Sequence, residues 1–151
     1  MRILGVDYGT KRIGLSMSDP SARIASPLGI RHRVSASQDG EFFRELVRSH
    51  QLARVVVGLP KMNDGTEGEK AHEARKYGAW LAAELGLPVD FYDERYTSAE
   101  AESRLKKTGM KARGRKKRLD MLAAQIMLQA YLDCEGLEDP GALEDAEASL
   151  G

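Results

Sequence analysis

The stretch "RILGVDYGTKRIGLSMSD", residues 2–19, decides how this chain folds. Ile3, Leu4 and Val6 form a compact apolar run around Gly5, and the run ends on an acid, Asp7. "YGTKR" turns the chain. Ile13, Leu15 and Met17 then alternate with small or polar residues, the pattern of a half-exposed antiparallel neighbour. "RIASPLGIRHR" (23–33) reads as a third strand, which Pro27 sends to a sheet edge because proline cannot donate to a ladder. Three strands joined by short turns make a meander. Asp7, at a strand tip beside a glycine and two cations, either bonds its own turn or holds a metal or a phosphate.

Beyond the meander, helix and strand alternate. "DGEFFRELVRSHQ" (39–51) puts Phe42, Phe43, Leu46 and Val47 on one helical face, with acids in its first turn. "ARVVVGLP" (53–60) is a continuous β-branched run, as in a parallel strand buried on both faces. "NDGTEG" turns into a long helix over about 66–85, and "LPVDFYDER" (87–95) is the next strand. "TSAEAESRLKK" opens with a capping-box signature at Thr97, and a last helix is expected over about 115–134. Such an order predicts an α/β fold, a mixed five-stranded sheet with helices on both faces. Ligands of such sheets bind outside the carboxyl ends of the parallel strands, where Asp7, Gly58 to Pro60, Asp93 and Glu94 fall.

The bulk composition narrows the function classes. A chain of 151 residues is one domain, here taken as 1–136, followed by an acidic, frayed tail over 137–151. No apolar run approaches the roughly 20 residues of a membrane span, and a strand at the N-terminus leaves no room for a leader peptide. One cysteine, Cys134, fits a reducing cytoplasm, and three scattered histidines argue against zinc. No aromatic-rich basic surface is visible, so no dedicated base-stacking platform is expected. Tyr8, Tyr92 and Tyr96 near the site have two readings, stacking on a base or packing in the core or rim. The net charge of zero hides an asymmetry. From Arg104 to Arg118 nine of fifteen residues are Lys or Arg, whereas from Asp133 onward there are seven acids and no base. The basic run is expected as a mobile loop that clamps phosphates, and its alternative is a plain solvated loop.

A third acid belongs with Asp7 and Glu94. In "LDMLAAQIMLQAYL" Asp120 shares a helical face with Ala123 and Ala124, small residues that let the helix approach a sheet. An acid on that inward stripe is costly unless it is paired or metal-bound. Carboxylates converging without histidine or thiol suit Mg²⁺ or Mn²⁺. Each acid also has a plainer reading: a turn bond for Asp7, a surface pair with Arg95 for Glu94, a first-turn helix acid for Asp120. "D-x-G-T" before a hairpin also suits a phosphotransferase of the actin-like kind, but that needs two such domains and about twice this length. There is no Walker pattern, and Gly9 stands where a haloacid-dehalogenase-like enzyme needs its second Asp.

Four stretches, "GVDYGTKRIGLS", "VVVGLP" with "DGTEG", "FYDERYTS" and "KKRLDMLAAQIMLQAYLD", together resemble the YqgF/RuvX family. These are Holliday junction resolvase-like or pre-16S rRNA nuclease proteins of the ribonuclease H-like superfold. The resemblance implies a three-layer fold with sheet order 3-2-1-4-5 and a divalent-metal nuclease centre at Asp7, Glu94 and Asp120. Two ions, Mg²⁺ or Mn²⁺ about 4 Å apart, would be bridged by Asp7 and would leave a 5′ phosphate after in-line attack. Gly9, Thr10, Lys11 and Arg12 would face a phosphate, with Lys61, Arg95, Lys111, Arg113, Arg115, Lys116 and Lys117 along the substrate. "KMNDG" departs from the family's usual L-N-M-D-G-like run and adds the cation Lys61. The implied partner is nucleic acid, a precursor of 16S rRNA or structured DNA or RNA. It would be cut in the cytoplasm by a monomer, or by a homodimer if two strands are cut symmetrically. The rival from another class is a non-catalytic RNA-binding factor in ribosome assembly or transcription.

Overall fold

In the computed structural model, which describes residues 1–94, 103, 107 and 112–137, with α3 side chains at 119 and 121–134, five strands form one sheet. The elements are β1 (Arg2–Asp7), β2 (Arg12–Ser18), β3 (Ala25–His32), α1 (Ala36–His50), β4 (Leu52–Leu59), α2 (Glu69–Leu85), β5 (Val89–Asp93) and α3 (Ala112–Leu137). The strand order is β3-β2-β1-β4-β5, with the first three antiparallel and β1, β4 and β5 parallel. Both match the sequence expectation.

Residue alternation along each strand assigns the two faces. Leu4 and Val6 of β1, Ile13 and Leu15 of β2, and Val55 and Val57 of β4 enter the core beneath α1 and α2. Ile3 and Val56 enter the second core with Met127, Leu128, Tyr131 and Leu132 of α3. Every side chain from Val55 to Val57 is therefore buried, which explains the unbroken β-branched run. Phe43, wholly enclosed, contributes about 1.5–3 kcal/mol by leaving water.

Small residues let α3 lie close to the sheet. A Cβ on Gly5 would sit 2.2 Å from Ser16 Oγ and 3.0 Å from Leu128 Cβ, so only glycine leaves room for both. Ser16 Oγ uses that room to donate to the Ala124 carbonyl at 2.8 Å. Ala123 and Ala124 are buried against the sheet, as their stripe predicted. Edge strand β3 is covered as well. Ala25 N donates to Gln129 Oε1 at 2.8 Å, and Gln125 Nε2 donates to Ala25 O at 3.1 Å, so α3 occupies backbone groups that would otherwise invite another strand. Pro27 lies in this edge strand beside a register shift at Leu15/Ser16, where its missing N–H does no harm.

Three boundaries differ from the sequence reading. Helix α1 starts at Ala36, earlier than expected, because Ser35 accepts from Gln38 N and caps it. Helix α2 starts at Glu69, later than expected, because Asp64 Oδ1 accepts from Thr66 N at 2.9 Å and Oγ1 at 2.7 Å, so the turn outlasts Thr66. Helix α3 starts at Ala112, so 112–118 of the basic run are helical and not loop. Arg and Lys are good helix formers, and that propensity with the amphipathic segment behind them outweighs the repulsion of like charges near the helix N-terminus. Lys107 of the basic run is also helical and exposed, whereas the capping box at Thr97, the other residues of 104–111 and the tail beyond Leu137 lie outside the described residues.

Candidate active site

Two acids are brought together at the carboxyl edge of the sheet. Asp7 ends β1 opposite Gly14, on the face that Ile3 and Gly5 turn toward α3. Phe91 packs under α2 and Tyr92 under α3, so strand alternation puts Glu94 on the face of Asp7 and Asp93 on the other. The Glu94 backbone N–H donates to the Leu59 carbonyl at 3.2 Å, which ties the end of β5 to the tip of β4.

Glu94 reaches Asp7 across the intervening strand β4. It can do so because Gly58 lies between them: a Cβ there would fall 2.1 Å from Glu94 Oε2 and 2.7 Å from its Cδ. Gly58 is the site residue that sequence reasoning missed, although a lone glycine after three valines signals a close approach in a strand. Oε2 of Glu94 is buried and has no hydrogen-bond partner among the described residues. Burial first, then the negative charge of Asp7 and a hydrogen bond with it, then the charge of Asp93, hold the Glu94 carboxyl well above the ordinary carboxylate range. The donor set therefore fits a hard divalent ion: oxygen only, negatively charged, with an enclosed oxygen awaiting a partner. Among the described residues no third His, Cys, Asp or Glu completes a cluster. Asp120 lies in the first turns of α3, on the same face of the sheet, and its side chain is outside the described set.

The turn after Asp7 is tightly built. A Cβ on Gly9 would come 2.3 Å from the Arg12 carbonyl, so the tight turn requires glycine there. Arg33 N donates to Lys11 O at 2.9 Å, and Arg33 Nη1 donates to the carbonyls of Gly9 (3.3 Å) and Thr10 (3.2 Å). Thr10 and Lys11 are exposed, and alternation along β2 puts Arg12 on the face of Asp7. Lys61 is half-buried just past β4 and lies within electrostatic reach of Glu67, which Arg75 holds by two bonds of 2.7 Å. Arg95 and Lys111 lie outside the described residues, as do the side chains of Arg113, Arg115, Lys116 and Lys117. Of the tyrosines near this edge, Tyr92 packs edge-on to Tyr131 at 6.0 Å and is a core residue.

This sheet order, with acids at the tips of its first and fifth strands, is that of the ribonuclease H-like fold. The chain belongs to the RuvX family, described as Holliday junction resolvase, whose model matches residues 1–134. Relatives are named as pre-16S rRNA nucleases. One from an Anaeromyxobacter species is 44% identical over 133 residues, covering 88% of this chain and 97% of its own. Another from Rhodopirellula baltica is 39% identical over 132 residues, covering 87% and 76%. In fold the chain is similar to Thermus thermophilus RuvC, with TM-score 0.53 and 17% identity over 90% of this chain and 97% of that one. It is similar also to the Fowlpox virus resolvase solved with Holliday junction DNA, with TM-score 0.56 and 12% identity over 92% and 100%. The chain is a nuclease.

Proposed function

We propose that Asp7, Glu94 and Asp120 hold two divalent ions, Mg²⁺ or Mn²⁺, and that the site hydrolyses a phosphodiester bond at the precursor end of 16S rRNA in the cytoplasm. The observation that carries this is the Asp7–Glu94 pair, two carboxyls pressed together over Gly58 with one oxygen buried and unpartnered. A fold that selects glycine to admit a second acid beside the first stores like-charge repulsion that a cation relieves. Bound metal supplies positive charge that lowers the pKa of water and stabilises the departing oxygen.

The chain's own residues do the remaining work. Asp7 and Glu94 fix the centre at the edge of a rigid sheet, so its geometry does not depend on a loop. The turn Gly9 to Arg12 offers a close backbone approach and two cations to a phosphate on the same edge. Lys61 and the cations of the first turns of α3, with Arg95 and Lys111, bind flanking phosphates through salt-sensitive contacts. The names of the relatives favour precursor RNA over four-way DNA as the substrate.

The test is a cleavage assay on RNA carrying the 16S precursor end, on four-way DNA and on a single strand, each with Mn²⁺, Mg²⁺ or chelator. The expected result is shortening of the precursor RNA with metal only, lost by at least about 10³-fold in Asp7→Asn and Glu94→Gln. An RNA bound equally well with chelator and never cut would establish a binding factor instead. Cleavage unchanged in a folded Asp7→Asn would refute the assigned centre.

A further inference from the structure

The opposite face of the same edge carries a second feature, which the catalytic acids do not use. Tyr8 follows Asp7 in the chain but points to the α2 side, where it packs on Tyr77 with ring centroids 5.1 Å apart. Tyr77 packs in turn on Trp80 at 5.2 Å. These three rings wall an open cleft of about 320 Å³, completed by Arg33 and Lys76 with Asp39 and Glu73. Of the three, Tyr8 and Trp80 are partly exposed and Tyr77 is buried behind them.

The cations of this cleft are prepared for an anion. The Arg33 guanidinium lies 5.3 Å from the Tyr8 ring centroid and 5.2 Å from that of Tyr77. It donates to Tyr8 Oη at 3.1 Å and to the two turn carbonyls, all of them neutral acceptors. Its orientation is fixed while its charge is not cancelled by a carboxylate among the described residues. Lys76 is exposed on the cleft wall and has no ion pair there either. Of the two acids, Asp39 is already neutralised, because Arg31 Nε and Nη2 reach its Oδ1 at 3.1 and 3.0 Å and Val34 N donates to it as well. That leaves one oriented cation, Arg33, one exposed cation, Lys76, and one acid, Glu73, beside three rings.

We infer that this cleft is a nucleotide subsite: one unpaired nucleotide of the substrate strand stacks its base on the partly exposed Tyr8 and Trp80 rings, which the buried Tyr77 backs, and sets its phosphate at Arg33 and Lys76. The inference rests on the nuclease reading for its choice of strand. Aromatic faces with adjacent guanidinium are the chemistry by which single strands are held without sequence preference. Arg33 also holds the carbonyls of Gly9 and Thr10, so a phosphate bound at Arg33 is coupled directly to the turn beside Asp7. A duplex cannot offer a base to this wall without unpairing it. The subsite therefore selects single-stranded flanks.

Trp80 is the one tryptophan in the chain, so its emission reports this cleft alone. The experiment titrates the full chain, in chelator, with ten-nucleotide oligoadenylate, the matching abasic strand, a ten-base-pair duplex and adenosine monophosphate. Saturable quenching by the oligoadenylate is expected. The abasic strand should bind roughly 5- to 150-fold more weakly. Lys76→Glu should weaken the single strand and lower its salt slope by about 1. Strand binding that leaves Trp80 emission unchanged, equal quenching by the abasic strand or the duplex, or monophosphate binding as tight as the strand would each overturn the subsite. Because quenching is read without metal or turnover, it stands or falls separately from cleavage.

Discussion

Gly58→Ala is the sharpest probe of the active-site geometry. The added Cβ would meet Glu94 Oε2 at 2.1 Å and Cδ at 2.7 Å, where ordinary contact begins at 3.4 Å. The β4 backbone is buried between two cores and cannot give way, so the carboxylate must retreat by roughly 1 Å. A misplacement of that size at a reacting centre lowers turnover about 10²-fold. The strand itself should not suffer, since alanine in a strand interior is favoured over glycine by about 0.5–1 kcal/mol, and the displaced atoms are the end of one flexible side chain. The expected result is kcat reduced about 100-fold with KM nearly unchanged, a higher metal concentration for half-maximal rate, and a melting temperature within about 4 °C of wild type. Single-turnover cleavage of labelled precursor RNA, with circular dichroism melting alongside, measures all three. A folded Gly58→Ala protein with kcat within threefold of wild type would refute the close approach as the reason for this glycine.

Two further perturbations test the site's charge and the packing behind it. The Glu94 carboxyl is raised in the folded state, so its contribution is present below the ordinary value of 4.5 and is lost as pH climbs through the folded pKa. Glu94→Gln in metal-free protein should therefore melt higher than wild type at pH 8, with the gap closing near pH 4; a gap independent of pH would contradict the buried like-charge pair. Gly5→Ala would drive a Cβ into Ser16 Oγ and Leu128, breaking the Ser16–Ala124 bond and lifting α3. Overpacking and the lost bond together cost about 2–4 kcal/mol, a fall in melting temperature of roughly 4–16 °C. A change under 2 °C would show that α3 is not seated through Gly5.

The sequence by itself determined the elements and the layers, while the strand order came from the family resemblance. Period-two alternation in β2, the double-sided valine run of β4 and the helical faces of α1 and α3 are local consequences of which residues leave water. Local spacing records that choice directly. It also supplied all three carboxylates as candidates, because an acid that ends an apolar strand or sits on an alanine stripe breaks a pattern that is otherwise regular. What spacing does not record is which side chains, far apart in the chain, come within reach of one another. Gly58 is ordinary until β5 is laid beside β4 and Glu94 is found to need the space of its missing side chain. Asp93 and Glu94 are equivalent as a string, and only the pleat assigns them to opposite faces. The sequence offered Tyr8 as a residue near the site but no aromatic-rich surface, yet a strand tip, the β3–α1 connection and one helix face gather Tyr8, Arg33, Tyr77 and Trp80 into a single cleft. Composition counts residues over the whole chain, whereas binding depends on their density at one place, and tertiary structure alone sets that density.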